Sequence, residues 1–259
     1  MKIITIGSLK GGTGKTVTLF NMAGIVAQKH KVLLIDGDPQ ANLSSNIGID
    51  VNDEKLATVM DIFNKGSAEI IEAPNRALPN LDIIPANIDL TATEFQIVSK
   101  AGRENILKTF VQLHYDKLSK YDYIFIDTNP SMGIINQNAF LVADSIILIS
   151  DVSINGLRGV ELFMRLWKEA RKYLNKENNI KALVLNNFDK RIKLSAELVE
   201  YCADTPEIKD IVLKNVVPYS VQVKKTELNQ RTISQLFPGS AVHDAYKNII
   251  SELNEREVL

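Results

Sequence analysis

Residues 9–16 read Leu9-Lys10-Gly11-Gly12-Thr13-Gly14-Lys15-Thr16. They follow a β-rich opening, Lys2-Ile3-Ile4-Thr5-Ile6, and precede a segment expected to be helical from Val17 to Lys29. A strand, a glycine-rich loop and a helix in that order make the frame of a phosphate-binding loop. Gly11, Gly12 and Gly14 can take positive φ, so that backbone N–H groups, that of Thr13 among them, curl around phosphate oxygens. The start of the helix adds the positive end of its dipole. Lys15 is then placed to reach the β- and γ-phosphates, and the Thr16 hydroxyl to ligate Mg²⁺.

Outward from the loop, short apolar runs alternate with longer amphipathic segments. Strands are expected at Lys31–Asp36, Leu81–Pro85, Tyr121–Asp127, Ser145–Ser150, Ile180–Leu185 and Ile211–Val217. Helices are expected over about 53–64, 88–98, 103–119, 134–143, 156–174, 192–204 and 241–256. Crossovers of that length join parallel strands, which gives an α/β fold: a doubly wound, mostly parallel sheet flanked by helices, of the P-loop NTPase class. No Pro/Ser-rich linker, repeat or low-complexity tract interrupts the series, so residues 1–259 are read as one domain.

Composition narrows the function. Thirty Lys and Arg against 31 Asp and Glu leave a formal charge of −1, so any nucleic-acid contact must come from a local patch. Cys202 is the single cysteine, which excludes an internal disulfide and a cysteine-rich metal site and suits a reducing cytoplasm. The phosphate loop begins within ten residues of Met1, leaving no room for a signal peptide. No apolar run approaches the roughly 20 residues of a membrane span. His30, His114 and His243 show no ligand spacing, and Phe163 with Trp167 reads as core at helical spacing.

An ordinary phosphate loop carries a glycine where Leu9 stands, five places before the Gly14-Lys15 pair. Here a second lysine, Lys10, precedes the double glycine instead. Lys10-Gly-Gly-Thr-Gly-Lys-Thr16 is similar to the deviant Walker A signature of the ParA/MinD superfamily. That resemblance implies that Lys10 crosses a dimer interface to the partner's bound nucleotide, a cation delivered in trans as an arginine finger is. Asp36-Gly37-Asp38-Pro39-Gln40 is similar to the family's first switch; Asp38 is thereby implied as the catalytic carboxylate that orients water, with Asp36 supporting Mg²⁺ from behind its ligands. The strand ending at Asp127 has the form of a Walker B strand, with Asp127 a Mg²⁺ partner through water. Thr128–Gly133 resembles the second switch, with Asn129-Pro130 where relatives commonly have two prolines. Val17 stands where relatives carry a hydroxyl, so only its backbone donor remains for the α-phosphate.

For the base, the resemblance implies that Asn186 and Asn187, with Pro218 and Tyr219, enclose adenine. A rival reading exists, because Asn186-x-x-Asp189 is spaced like the Asn-Lys-x-Asp signature that reads guanine. The missing lysine and the family resemblance favour ATP.

The likeness extends along the chain through Ile84-Pro85-Ala86-Asn87, Gly102-Arg103-Glu104 and Val217-Pro218. Because the chain opens at the loop's strand, it resembles the short subgroup without an N-terminal helix-turn-helix domain. The resemblance implies an ATP- and Mg²⁺-dependent homodimer that binds double-stranded DNA without sequence preference in plasmid or chromosome partition. It further implies a cytoplasmic, nucleoid-associated protein and a centromere-binding ParB-type partner that stimulates hydrolysis. Candidate DNA contacts are Lys190, Arg191, Lys193, Lys224, Lys225 and Arg231, with a stripe of Arg158, Arg165 and Lys172 at seven-residue spacing. Gln222 stands where relatives often have a basic residue. A MinD-like membrane anchor would need a basic C-terminal helix. Residues 241–259 instead set Asp244, Glu252, Glu255 and Glu257 against Lys247 and Arg256, so no membrane partner is expected. An iron–sulfur reductase would need more cysteines than Cys202. ParA-like positioning of a protein cargo, a MinD-like membrane-associated site regulator and a metabolic ligase on the same fold remain as alternatives.

Overall fold

The computed structural model describes residues 1–74, 78 and 80–259. Seven strands form one sheet: β1 (Lys2–Gly7), β2 (Val32–Gly37), β3 (Ile71–Glu72), β4 (Leu81–Ile84), β5 (Tyr123–Thr128), β6 (Ser145–Asp151) and β7 (Ile180–Asn186). Their spatial order is β3-β4-β2-β5-β1-β6-β7. Every pairing is parallel except the short edge pair β3–β4. The first half of the fold supplies helices α1 (Lys15–Val26), α2 (Asn42–Ile47), α3 (Met60–Lys65), α4 (Leu90–Ile97), α5 (Ile106–Leu113) and α6 (Tyr115–Leu118). The second half adds α7 (Ile134–Val142), α8 (Ile154–Tyr173), α9 (Lys193–Asp204), α10 (Val221–Asn229), α11 (Ile233–Leu236) and α12 (Ala241–Glu255).

Side chains alternate between the two faces of each strand, so both faces must be covered. Ile4, Ile6, Val32, Leu34, Phe125, Ile147 and Ile149 pack on one face with Leu19, Phe20 and Met22 of α1 and Tyr246, Ile249 and Leu253 of α12. Ile3, Leu33, Ile35, Ile124 and Ile126 pack on the other with Ile62, Phe63, Phe110 and Ile135. Toward β7 that second face continues as Leu148 and Leu183 against Phe163 and the fully buried Trp167. Trp167 Nε1 also donates to Asn179 Oδ1 at 3.0 Å, so it is core, as its spacing predicts.

Three sequence expectations are corrected. Residues 211–217 are not a strand. They touch β7 at separated points, Ile211 O accepting from Leu183 N and Val217 N donating to Leu185 O. Between these points the Lys214 and Asn215 N–H groups turn away to the Glu252 carboxylate, at 2.9 and 3.0 Å. The helix expected over 53–64 is confined to Met60–Lys65. Asp53 accepts from Lys55 N through its side chain at 2.9 Å and from Leu56 N through its carbonyl, and turns of that kind compete with a helix. The helix expected over 103–119 breaks at His114 (φ −110°), whose Nε2 lies 3.0 Å from Gly66 O.

Candidate nucleotide-binding site

The loop between β1 and α1 is tied to itself before any ligand arrives. Ser8 Oγ accepts from Lys10 N at 3.3 Å and from the Thr13 hydroxyl at 3.4 Å, and donates to Lys10 O at 3.2 Å. Gly14 caps α1 at φ 81°, and a Cβ there would stand 2.2 Å from Asn186 Nδ2, so no larger residue fits. By contrast, a Cβ on Gly11 or Gly12 would meet nothing within 4 Å. That open space above a run of backbone N–H groups fits phosphate oxygens. Lys15 is buried at the start of α1, and the Val17 side chain is buried beside it.

Two neighbouring strands bring carboxylates to the same point. Asp36 on β2 is the register partner of Asp127 on β5. The next residue, Gly37, must be glycine: a Cβ would come 2.7 Å from Asp127 O. Thr16 Oγ1 donates to Asp127 Oδ2 at 2.6 Å, while Asp127 Oδ1 is buried without a hydrogen-bond partner among the described residues. Asp36 Oδ2 accepts from the hydroxyl and backbone N–H of Ser44, at 2.7 and 2.9 Å, and Asp36 Oδ1 from Asp38 N at 3.1 Å. Burial, reinforced by the charge of Asp127, pushes Asp36 up to about 7. Burial raises Asp127 too, opposed by Lys15 and the Thr16 hydrogen bond.

Hard oxygens of one hydroxyl and two carboxylates, one oxygen orphaned, suit Mg²⁺. The described residues contain no cluster of three or more His, Cys, Asp or Glu that could hold a metal without help. A cation here would therefore need phosphate and water oxygens to complete its shell, as Mg²⁺ at a nucleotide does.

The strained carboxylate has a measurable consequence. Asp36 is raised above its ordinary value of 3.8, so the folded state holds its proton more tightly than the unfolded chain. The stability it contributes is complete below 3.8 and disappears as pH rises through about 7. In protein free of Mg²⁺ and nucleotide, the thermal midpoint of the wild type should gain on Asp36→Asn between pH 7.5 and 5.5. Parallel midpoint curves for the two proteins would exclude a buried neutral Asp36.

The first-switch residues form a tight turn. Asp38 is buried; its Oδ1 accepts from Gln40 N at 2.9 Å and its carbonyl from Ala41 N at 2.9 Å. Ala41, a non-glycine residue at φ 51°, begins α2 in a conformation that costs of order 1 kcal/mol. In the second switch, Asn136 on α7 donates to Asn129 O at 3.0 Å and Ser131 O at 2.9 Å.

Lys10 leaves the cradle altogether. Its Nζ lies 2.6 Å from Asp151 Oδ2, at the end of β6, and donates to Ser153 Oγ at 3.1 Å, at the start of α8. Both partners of the ion pair keep solvent contact, with side chains 33% and 23% exposed.

On the base side, Asn186 at the end of β7 reaches across to the phosphate loop. Its Nδ2 is committed to Thr13 O at 2.7 Å. Asn187, at φ 59°, turns the chain so that Phe188 N donates to Val217 O at 3.0 Å and Tyr219 N to Phe188 O at 2.9 Å. Asn187, Pro218 and Tyr219 are thereby brought together beside the loop, with Asn187 and Tyr219 exposed.

Of the basic candidates, Lys190, Lys224, Lys225 and Arg231 are exposed. Lys193 pairs with Glu197 at 3.3 Å, and Arg191 grips Asp189 with two nitrogens, which leaves it a weaker DNA candidate than its position in the sequence suggests. Arg158, Arg165 and Lys172 lie exposed along α8.

Three supporting residues have no sequence signal: Ser44, Asn136 and Asn21. The last is wholly buried on α1; its Oδ1 accepts from Ile233 N at 2.6 Å and its Nδ2 donates to Thr226 Oγ1 at 3.3 Å. It binds the helix that follows the phosphate loop to α10 and α11. Ser44 and Asn21 have partners far away in the chain, Ala86 N and Ile233 N among them, and Asn136 reaches back from α7 to the loop before it, contacts that local patterns do not encode. Among the described residues, no helix is long and apolar enough to cross a membrane.

Comparison with known proteins shows the family of the chain. An AAA domain family model (AAA_31) matches residues 1–180. The sporulation initiation inhibitor protein Soj of Bacillus subtilis is 31% identical over 97% of this chain and 98% of its own. The chromosome partitioning protein ParA of Caulobacter vibrioides is 29% identical over 99% of this chain and 95% of its own. A putative plasmid partition protein of Borrelia burgdorferi, solved bound to AMPPNP, superposes with a TM-score of 0.78 at 27% identity, covering 98% of each chain. The chain belongs to the ParA/Soj family of AAA-domain P-loop ATPases.

Proposed function

We propose that the protein is an ATP-dependent dimerisation switch for plasmid or chromosome partition, which binds DNA without sequence preference as the ATP dimer. A centromere-bound ParB-type partner then stimulates hydrolysis and releases it. The observation that supports this reading most is Lys10. Its ammonium turns out of its own cradle to the loop's mouth and rests on Asp151 and Ser153. A lysine that served its own nucleotide would have Lys15's place inside the cradle, which is already taken.

In the proposed cycle Gly11–Gly14 wrap the phosphates through backbone N–H groups, and Lys15 neutralises the β- and γ-oxygens. Thr16 and Asp127 would hold Mg²⁺, with Asp36 behind them; the ion neutralises charge that develops on the phosphoryl oxygens. Asp38 orients the attacking water. Asn186, Asn187, Pro218 and Tyr219 enclose adenine. Lys10 exchanges Asp151 for the partner's nucleotide. An ion pair this exposed is worth about 0.2–1 kcal/mol, so leaving it opposes dimerisation only weakly. Loss of the γ-phosphate would release both switch segments, and with them the dimer.

DNA contact falls to Lys190, Lys224, Lys225 and Arg231, whose patch is doubled when two copies pair. The test is mass in solution by light scattering: a monomer with ADP and a doubled mass with Mg²⁺ and ATP. Equal mass with both nucleotides would refute the switch.

A further inference from the structure

The turn that follows β7 carries an ion pair with no part in the phosphate chemistry. Asp189 stands three residues after Asn186, whose side chain is anchored on the phosphate loop at Thr13 O. Arg191 closes a fork on it, Nε to Oδ1 at 2.9 Å and Nη2 to Oδ2 at 2.6 Å, so both carboxylate oxygens are filled. The hydrogen bonds from Arg191 hold the acid down to about 2, so it is a carboxylate at any physiological pH.

An asparagine tied to the phosphate loop and an aspartate three residues on have the spacing of the Asn-Lys-x-Asp signature that reads guanine. Guanine offers two donors on one edge, N1–H and the N2 amine, which a carboxylate meets with two free oxygens. Adenine offers a lone pair at N1 on that edge, which a bare carboxylate repels. We propose, building on the adenine reading above, that Arg191 is the base-selectivity residue: it masks Asp189 and so holds the site to adenine nucleotides.

This goes further than the missing lysine at Asn187, because it makes the guanine reader present but covered. The fork is removable. Arg191's side chain is 76% exposed, and its backbone N–H bonds Asp189 Oδ1 at 3.0 Å whatever the side chain. A substitution therefore uncovers the carboxylate while leaving it oriented.

The test is displacement of a fluorescent ATP analogue by ATP and by GTP, with Mg²⁺, from the wild type, R191A, R191Q and the double variant D189N/R191A. The wild type should prefer ATP. R191A and R191Q should shift the ATP-to-GTP preference toward GTP by about ten-fold or more, the discrimination usual for a two-point contact to a base edge. The double variant should return the ratio to that of the wild type. An unchanged ratio in both single variants that still bind ATP would overturn the masking role and leave the adenine reading standing. A shift that D189N does not reverse would overturn it as well. Wild-type preference for GTP would overturn the adenine reading itself, and this inference with it.

Discussion

Replacing Lys10 with alanine is expected to leave the protein monomeric in saturating Mg²⁺ and ATP, with ATP still bound. The loop that holds the phosphates does not depend on the Lys10 side chain: its shape is set by Ser8 Oγ, by Gly14 and by Asn186. What the substitution removes is a cation that rests outside the cradle on Asp151. A cation supplied in trans to a transferring phosphoryl group is worth about 10³-fold or more in rate, so partner-stimulated turnover should fall by that order. The measurement is light scattering of the ATP-loaded variant beside its binding isotherm for a fluorescent ATP analogue. Dimers at wild-type concentration dependence would sink the trans role. Lost ATP binding would place Lys10 in its own cradle, against the present geometry.

The second large effect is expected at Asp38. Asp38→Ala should bind ATP and dimerise but hydrolyse about 10²–10⁴-fold more slowly, the range for a residue that positions or deprotonates a nucleophile. In the structure Asp38 holds Gln40 N and neighbours Asp127 closely enough to raise it, which puts its charge beside the proposed metal position. Single-turnover hydrolysis in the preformed dimer separates the two roles open to this carboxylate. Slow chemistry in an intact dimer supports water positioning. Full turnover would assign Asp38 to the turn alone.

The phosphate loop, the parallel sheet and the carboxylates at the ends of β2 and β5 were legible because their chemistry is local. Glycines, a lysine and a threonine must lie between one strand and one helix, and buried parallel strands read as apolar runs. Legibility ended where a polar group chose a distant partner. Glu252 takes two backbone donors from residues 214–215 and so dissolves an expected edge strand. Ser44 holds Asp36 from eight residues away, and Asn136 holds the second switch from the next helix. Asn186 shows both limits at once. Its place after β7, on the base side by resemblance, was readable, but the hydrogen bond of its carboxamide to Thr13 O is a tertiary fact. The family likeness names these segments without saying which atom each side chain serves.

The central claim is that ATP creates the DNA-binding form. Binding to random-sequence duplex DNA tests it most directly, measured with Mg²⁺ and ATP, with ADP and without nucleotide, at low and moderate salt. Tight binding with ATP alone, weakening steeply as salt rises because basic side chains displace counterions from phosphates, is the predicted result. Binding of equal strength under every nucleotide condition, or none under any, would contradict it.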